Sequence, residues 1–162
     1  MIDGSELYQQ AKEEIPTQWY ETSANLIAAV MAYILLDTQI ITHLDEIDAY
    51  LPLISSGLVG LVAILDRIST HEVIKAIKEL KDKHEVEEIP IHELNPFVSK
   101  NLTSEELNKP RTYLIDAAKI GISYVMPAVG LAFIFYNLLV IKNNRRKTQR
   151  LNYLLHRLRS IA

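Results

Sequence analysis

Cysteine is absent from all 162 residues, so neither disulfides nor thiolate metal sites hold this fold, and the redox compartment leaves no trace in the sequence. Asp, Glu, Lys, Arg and His are absent from Ile120 through Ile141, a run of 22 residues, and acids are absent everywhere beyond Asp116. The opening MIDGSELYQQAKEE has no basic n-region and no early apolar core. A cleavable secretory signal is therefore not expected, and any membrane insertion would be directed by an internal segment. No phosphate-binding glycine loop, HExxH pair or nucleophile elbow occurs, which removes the commonest NTPase, zinc-protease and hydrolase readings. Strand and hairpin signals, internal repeats and low-complexity stretches are also missing, so the expected fold class is all-α.

What is present is a strong separation of charge. Residues 1–118 carry 9 basic and 20 acidic groups, whereas residues 119–162 carry 8 basic groups and no acid, so the net charge of −3 is the sum of two opposed halves. Apolar residues form three blocks. The first extends from Thr22 to Leu36, preceded by Trp19 and Tyr20 and ended by Asp37. The second, Ala49–Leu65, is closed by Asp66 and Arg67. The third is the run from Ile120 to Ile141, long enough as one helix to cover about 33 Å and cross a hydrocarbon core of about 30 Å.

The first two blocks are short for a span and have no polar stripe; such helices are buried on all sides or sit in lipid. Trp19 and Tyr20 suit a headgroup belt or the edge of a helical core equally well. These patterns divide one domain into a polar N-terminal helix (1–21), an apolar helical hairpin (22–66), a polar helix and loop (67–112), a long membrane helix (113–141) and a basic tail helix (142–162). Pro127 is expected to kink the long helix. Gly121 and Gly130 permit close helix approach without forming GxxxG. Ser69 with Glu72, and Thr103 with Glu106, have capping-box spacing. In total the chain reads as a helical membrane protein with one to three membrane-embedded helices and a cationic amphipathic C-terminal helix.

Few residues carry candidate chemistry. His71, His84 and His92 sit in the polar middle without the spacing of metal ligands, and no metal or cofactor is expected. Asn101-Leu-Thr103 is a formal glycosylation sequon, a triplet too common to direct a function. Asp37 and Asp66, at the ends of apolar runs, are candidates for intramembrane carboxylates lining a cation path; the simpler reading places them at the interface. Lys142, Arg145, Arg146, Lys147, Arg150, Arg157 and Arg159 suit anionic lipid headgroups or, by counterion release, RNA phosphates. The stripe Leu151, Leu154, Leu155, Leu158 and Ile161 beside them would enter a membrane interface or zip subunits together. Retention of basic residues inside the cell argues for a cytoplasmic C-terminus.

Within the tail, Arg150 and His156 are separated by five residues, R-LNYLL-H. This resembles the Arg–His pattern of HEPN nucleases, in which the two residues from facing subunits form a metal-independent RNase site. Leu151 departs from the common form, where a polar residue follows the Arg. A small helical membrane protein with such a pattern is similar to the membrane accessory proteins of type VI CRISPR systems. That resemblance implies a homo-oligomeric pore in the bacterial inner membrane that strengthens antiphage defence, with Arg150 and His156 structural or regulatory. The sequence thus leads to a homo-oligomeric membrane pore or membrane-perturbing effector, binding lipid and through the tail RNA or a protein, with no small-molecule substrate evident. A non-conducting membrane scaffold or adaptor and a membrane-tethered HEPN-like ribonuclease are the alternatives.

Overall fold

The computed structural model describes residues 2–21, 26–27, 30, 51–87, 89 and 108–161. Helix α1 (Gly4–Glu14) starts at Asp3, whose Oδ1 accepts from the Ser5 N–H at 2.8 Å, and stops ahead of Pro16. Helix α2 (Leu51–His84) is continuous for 34 residues. The Ser69–Glu72 capping box expected from the sequence does not form. Ser69 lies inside α2, where its hydroxyl donates to the Asp66 carbonyl at 2.8 Å. Glu85, with φ of 51°, turns the chain out of the helix into a minimal parallel pairing of β1 (Ile2–Asp3) with β2 (Val86–Glu87). Apart from that two-residue pairing, the described fold is all-α.

The region expected to form one long membrane helix is two. Helix α3 (Pro110–Val125) begins with Pro at its first turn, and α4 (Pro127–Ile161) begins immediately after Met126. Proline bars the residue before it from the helical region, and Met126 accordingly has φ −130° and ψ 82°. The result is a reversal, not a kink. Ser123 stands against Gly130, and the Lys119 ammonium lies 5.8 Å from the Tyr136 ring, so α3 and α4 run antiparallel. Contacts of α2 with α4 keep a near-constant sequence offset, 72 for Ser55–Pro127 and 75 for Ser69–Asn144, which makes those two helices parallel. Gly60–Ile120 and Arg67–Asp116 make α2 and α3 antiparallel.

One end of this three-helix unit is therefore built from Leu51–Leu65, Ile120–Val125 and Pro127–Ile141, none of which contains Asp, Glu, Lys or Arg. Each of the longer limbs covers about 22 Å at the helical rise. The opposite end has its own core. Tyr8 and Ala11 of α1, Val73, Ala76, Ile77 and Leu80 of α2, Val86, Ile89, and Leu151, Leu154 and Leu155 of α4 form one buried cluster. The tail leucines thus face this chain's own interior, and are not presented to a membrane interface or to another subunit as the sequence pattern implied.

The hairpin depends on a close approach at its tip. A Cβ on Gly130 would collide with Ser55 Oγ and stand 2.9 Å from Ser123 Cβ, whereas nothing lies within 4 Å of one at Gly121. Gly130→Ala is expected to destabilise the fold by about 1–3 kcal/mol through overpacking. Gly121→Ala should be neutral or stabilising by up to about 1 kcal/mol from helix propensity. Chemical denaturation of the detergent-solubilised variants measures both.

Candidate functional site

The apolar end exposes what a water-soluble bundle would bury. Leu53, Ile54, Leu58, Leu61, Ile64 and Leu65 on α2, Ile122, Tyr124 and Val125 on α3, and Leu131 and Leu138 on α4 are all exposed. Among the described residues α2 is the one helix long and apolar enough to cross a membrane, and only 22% of its apolar window is buried. A core helix of a soluble protein would show the reverse.

Charged groups begin where this apolar section ends. Arg67 donates through Nε at 2.9 Å and Nη2 at 2.6 Å to Asp116 Oδ2, and its guanidinium stacks 3.9 Å from the Tyr113 ring centre. Asp66, one of the two carboxylates singled out in the sequence, is part of a polar seam between α2 and α4. Asn144 Nδ2 donates to the hydroxyls of Ser69 and Thr70 at 3.0 Å each, and Thr70 donates to Asp66 Oδ1 at 3.5 Å. Asp37, the other, lies outside the described residues. Inside the apolar section Asn137 is 1% exposed with neither amide atom hydrogen-bonded.

The seven tail cations separate into three groups. Arg150 is 0% exposed: its Nη1 donates to Glu21 Oε2 at 2.9 Å, Nη2 to Glu21 Oε1 at 3.4 Å, and Nε to the Ile15 carbonyl at 2.9 Å. Lys147 is buried beside this pair. Lys142, Arg145 and Arg146 sit nearer the apolar end; Lys142 Nζ lies 5.3 Å from the Tyr20 ring and Arg146 Nη2 donates to the Pro16 carbonyl at 3.1 Å. At the far end Arg157 reaches Gln10 Oε1 at 3.3 Å and Arg159 reaches Glu79 Oε1 at 2.6 Å.

His156 is exposed, and Arg150 is enclosed, so the two residues of the HEPN-like pattern are not brought into one site within the chain. His71 is exposed, His84 half-buried, and His92 and the sequon Asn101–Thr103 fall outside the described residues. No group of His, Asp and Glu among the described residues is placed to hold a metal ion. Sequence reasoning missed Glu21, Asp116 and Asn137. Glu21 directly precedes an apolar run, Asp116 is the last acid of the chain, and Asn137 is the one amide inside the uncharged stretch, signals that became meaningful only with helix partners assigned. No protein-family model, curated protein or solved structure matches the chain.

The buried pair generates two predictions. Glu21→Gln leaves Arg150 enclosed without its counter-ion and is expected to cost about 3–5 kcal/mol in a denaturation experiment. Burial pushes the Lys147 ammonium down from 10.5 to about 7, with Glu21 opposing the shift and Arg150 adding to it. The folded chain then binds fewer protons than the unfolded chain between those values, so stability rises with pH across that window. Lys147→Met should be more stable than the parent at pH 7 and show a flatter profile from pH 7 to about 10.

Proposed function

We propose that this chain is a membrane-seated helical protein that assembles with copies of itself and opens or perturbs the bilayer. The observation that carries the reading is the apolar end, where three helices present exposed large hydrophobic side chains and no charge. Lipid or a second copy covers such a surface at far lower cost than water. The uncharged limbs reach about 22 Å, less than the roughly 30 Å hydrocarbon core, and a short apolar section thins the bilayer around it. Local thinning favours leakage.

Placement of charge supports one orientation. The basic residues of the second half of α2, of α1 and of the tail share the polar end, so a single cytoplasmic face retains them all, as insertion rules require. This arrangement removes the conflict that three successive spans would create between residues 67–84 and the tail. The bacterial inner membrane and antiphage defence enter through the resemblance to type VI CRISPR accessory proteins. Ribonuclease activity draws no support from an Arg150 sealed by Glu21 and Ile15.

A second reading, a non-conducting scaffold, is favoured by the polar end, which has a complete core of its own and could display a partner surface without any pore. Alkaline-carbonate extraction followed by dye release separates the cases. The parent chain is expected to remain in the membrane pellet and to release dye from liposomes, and Leu58→Asp with Leu61→Asp to move it to the supernatant. Retention without dye release would select the scaffold; extraction of the parent would reject both.

A further inference from the structure

The exposed side of α4 changes character within one helical turn. Leu131 and Leu138 are exposed and apolar; Lys142, Arg145 and the half-buried Arg146 follow. At about 100° per residue these five positions share an arc of about 100°, and Leu138 and Lys142 are about 6 Å apart along the axis. The Arg67–Asp116 bridge marks the same level, since α2 and α4 run parallel at an offset of 75 through Ser69–Asn144.

This corner contains an aromatic edge as well. Trp19 is 60% exposed and meets Tyr20 edge-on at 5.8 Å, and Tyr20 in turn lies under the Lys142 ammonium. Among the described residues neutralising acids are scarce. Arg146 Nε is buried without a hydrogen bond, 3.6 Å from a Glu21 carboxylate already engaged by Arg150, and neither Lys142 nor Arg145 forms an ion pair among the described residues.

We propose that Lys142, Arg145, Arg146 and Trp19 form a docking site for the headgroup phosphate of an anionic phospholipid. The inference rests on the membrane reading above and names the lipid class it requires. Arg guanidinium forks match phosphate oxygens, an exposed Trp ring suits the boundary between acyl chain and headgroup, and Leu138 lies where the acyl chain would run. The other tail cations take no part: Lys147 and Arg150 are enclosed, and Arg157 and Arg159 stand about 22 Å farther from the apolar end.

Vesicle flotation of the purified full chain tests this. The parent should bind phosphatidylcholine vesicles containing phosphatidylglycerol more tightly than pure phosphatidylcholine, by on the order of 100-fold for three basic groups. Lys142→Gln with Arg145→Gln, which leaves Arg146 on Pro16, should lose most of that preference and still bind neutral vesicles. Adding Arg146→Gln should abolish the preference, and Arg157→Gln with Arg159→Gln should leave it intact. Equal parental binding to both vesicles, or an equal loss in the far-end double variant, overturns the assignment. So does an unchanged lipid preference in variants that lose retention of an oligoribonucleotide on a filter. Failure of the parent to float with either vesicle defeats the membrane reading itself.

Discussion

Pro127 lacks an amide hydrogen and disfavours helical geometry at Met126, and the break there underlies how α2, α3 and α4 meet at the apolar end. Because α3 stops and α4 departs in the opposite direction, the uncharged run becomes a hairpin tip. The tip brings Ser123 and Gly130 together and gives Ser55 of α2 a carbonyl to bond, that of Pro127, at 3.2 Å. The N-terminal half of α2 is thereby held against the same apolar limbs. A straight helix through the same residues would have left α2 without this partner and placed Lys119 far from Tyr136, which it instead approaches at 5.8 Å.

The two ends of the unit meet different physical requirements. At the polar end, apolar side chains from α1, α2 and α4 bury one another, and the charged pair Arg150–Glu21 joins the tail to the chain segment that follows α1. An enclosed ion pair contributes little net stability over an apolar replacement, but it penalises any packing that separates the partners. It therefore enforces the position of residues 15–21 against α4. At the apolar end many large side chains are exposed, and small residues, Ser55, Ser123, Gly130, Ala128 and Ala132, lie in the interior together with Val59, Val62, Leu139 and Ile141. Close packing through small residues with large ones outside is the arrangement favoured where lipid, not water, surrounds the helices.

Much of the helical content was legible from the sequence, since a polar helix was expected within 1–21 and the uncharged blocks mark the apolar limbs. The direction of the chain was not. A proline inside an apolar run signals a break in the hydrogen-bond ladder, but whether the helix bends or reverses depends on contacts such as Gly130 with Ser55, which are 75 residues apart. The leucine stripe shows the same limit. Spacing showed that Leu151, Leu154 and Leu155 share a face; it carried no information that Tyr8, Val73 and Leu80 would cover that face. For the site, charge counting identified the basic tail, and burial alone divided it. Charge counting does not separate Arg150 from Lys142, yet one is enclosed by Glu21 and the other exposed beside Tyr20.

That division gives the tail's charges separate physical roles along one helix. Lys147 and Arg150 are interior groups beside one carboxylate, so both act on folding, and Lys147 also on its pH dependence. Arg157 and Arg159 fasten α4 to α1 and α2 through Gln10 and Glu79 at the exposed far end, where solvent screens them. Lys142, Arg145 and Arg146 remain at the level where hydrophobic surface ends. A positive group there gains by facing an anion at the same depth, since burial toward Leu138 would desolvate it and, among the described residues, the nearby Glu21 is already engaged by Arg150. A bilayer presents phosphates at that depth all around the protein. On the proposed membrane reading, the boundary that would hold the apolar end in hydrocarbon also sets the depth at which these three side chains would meet phosphate.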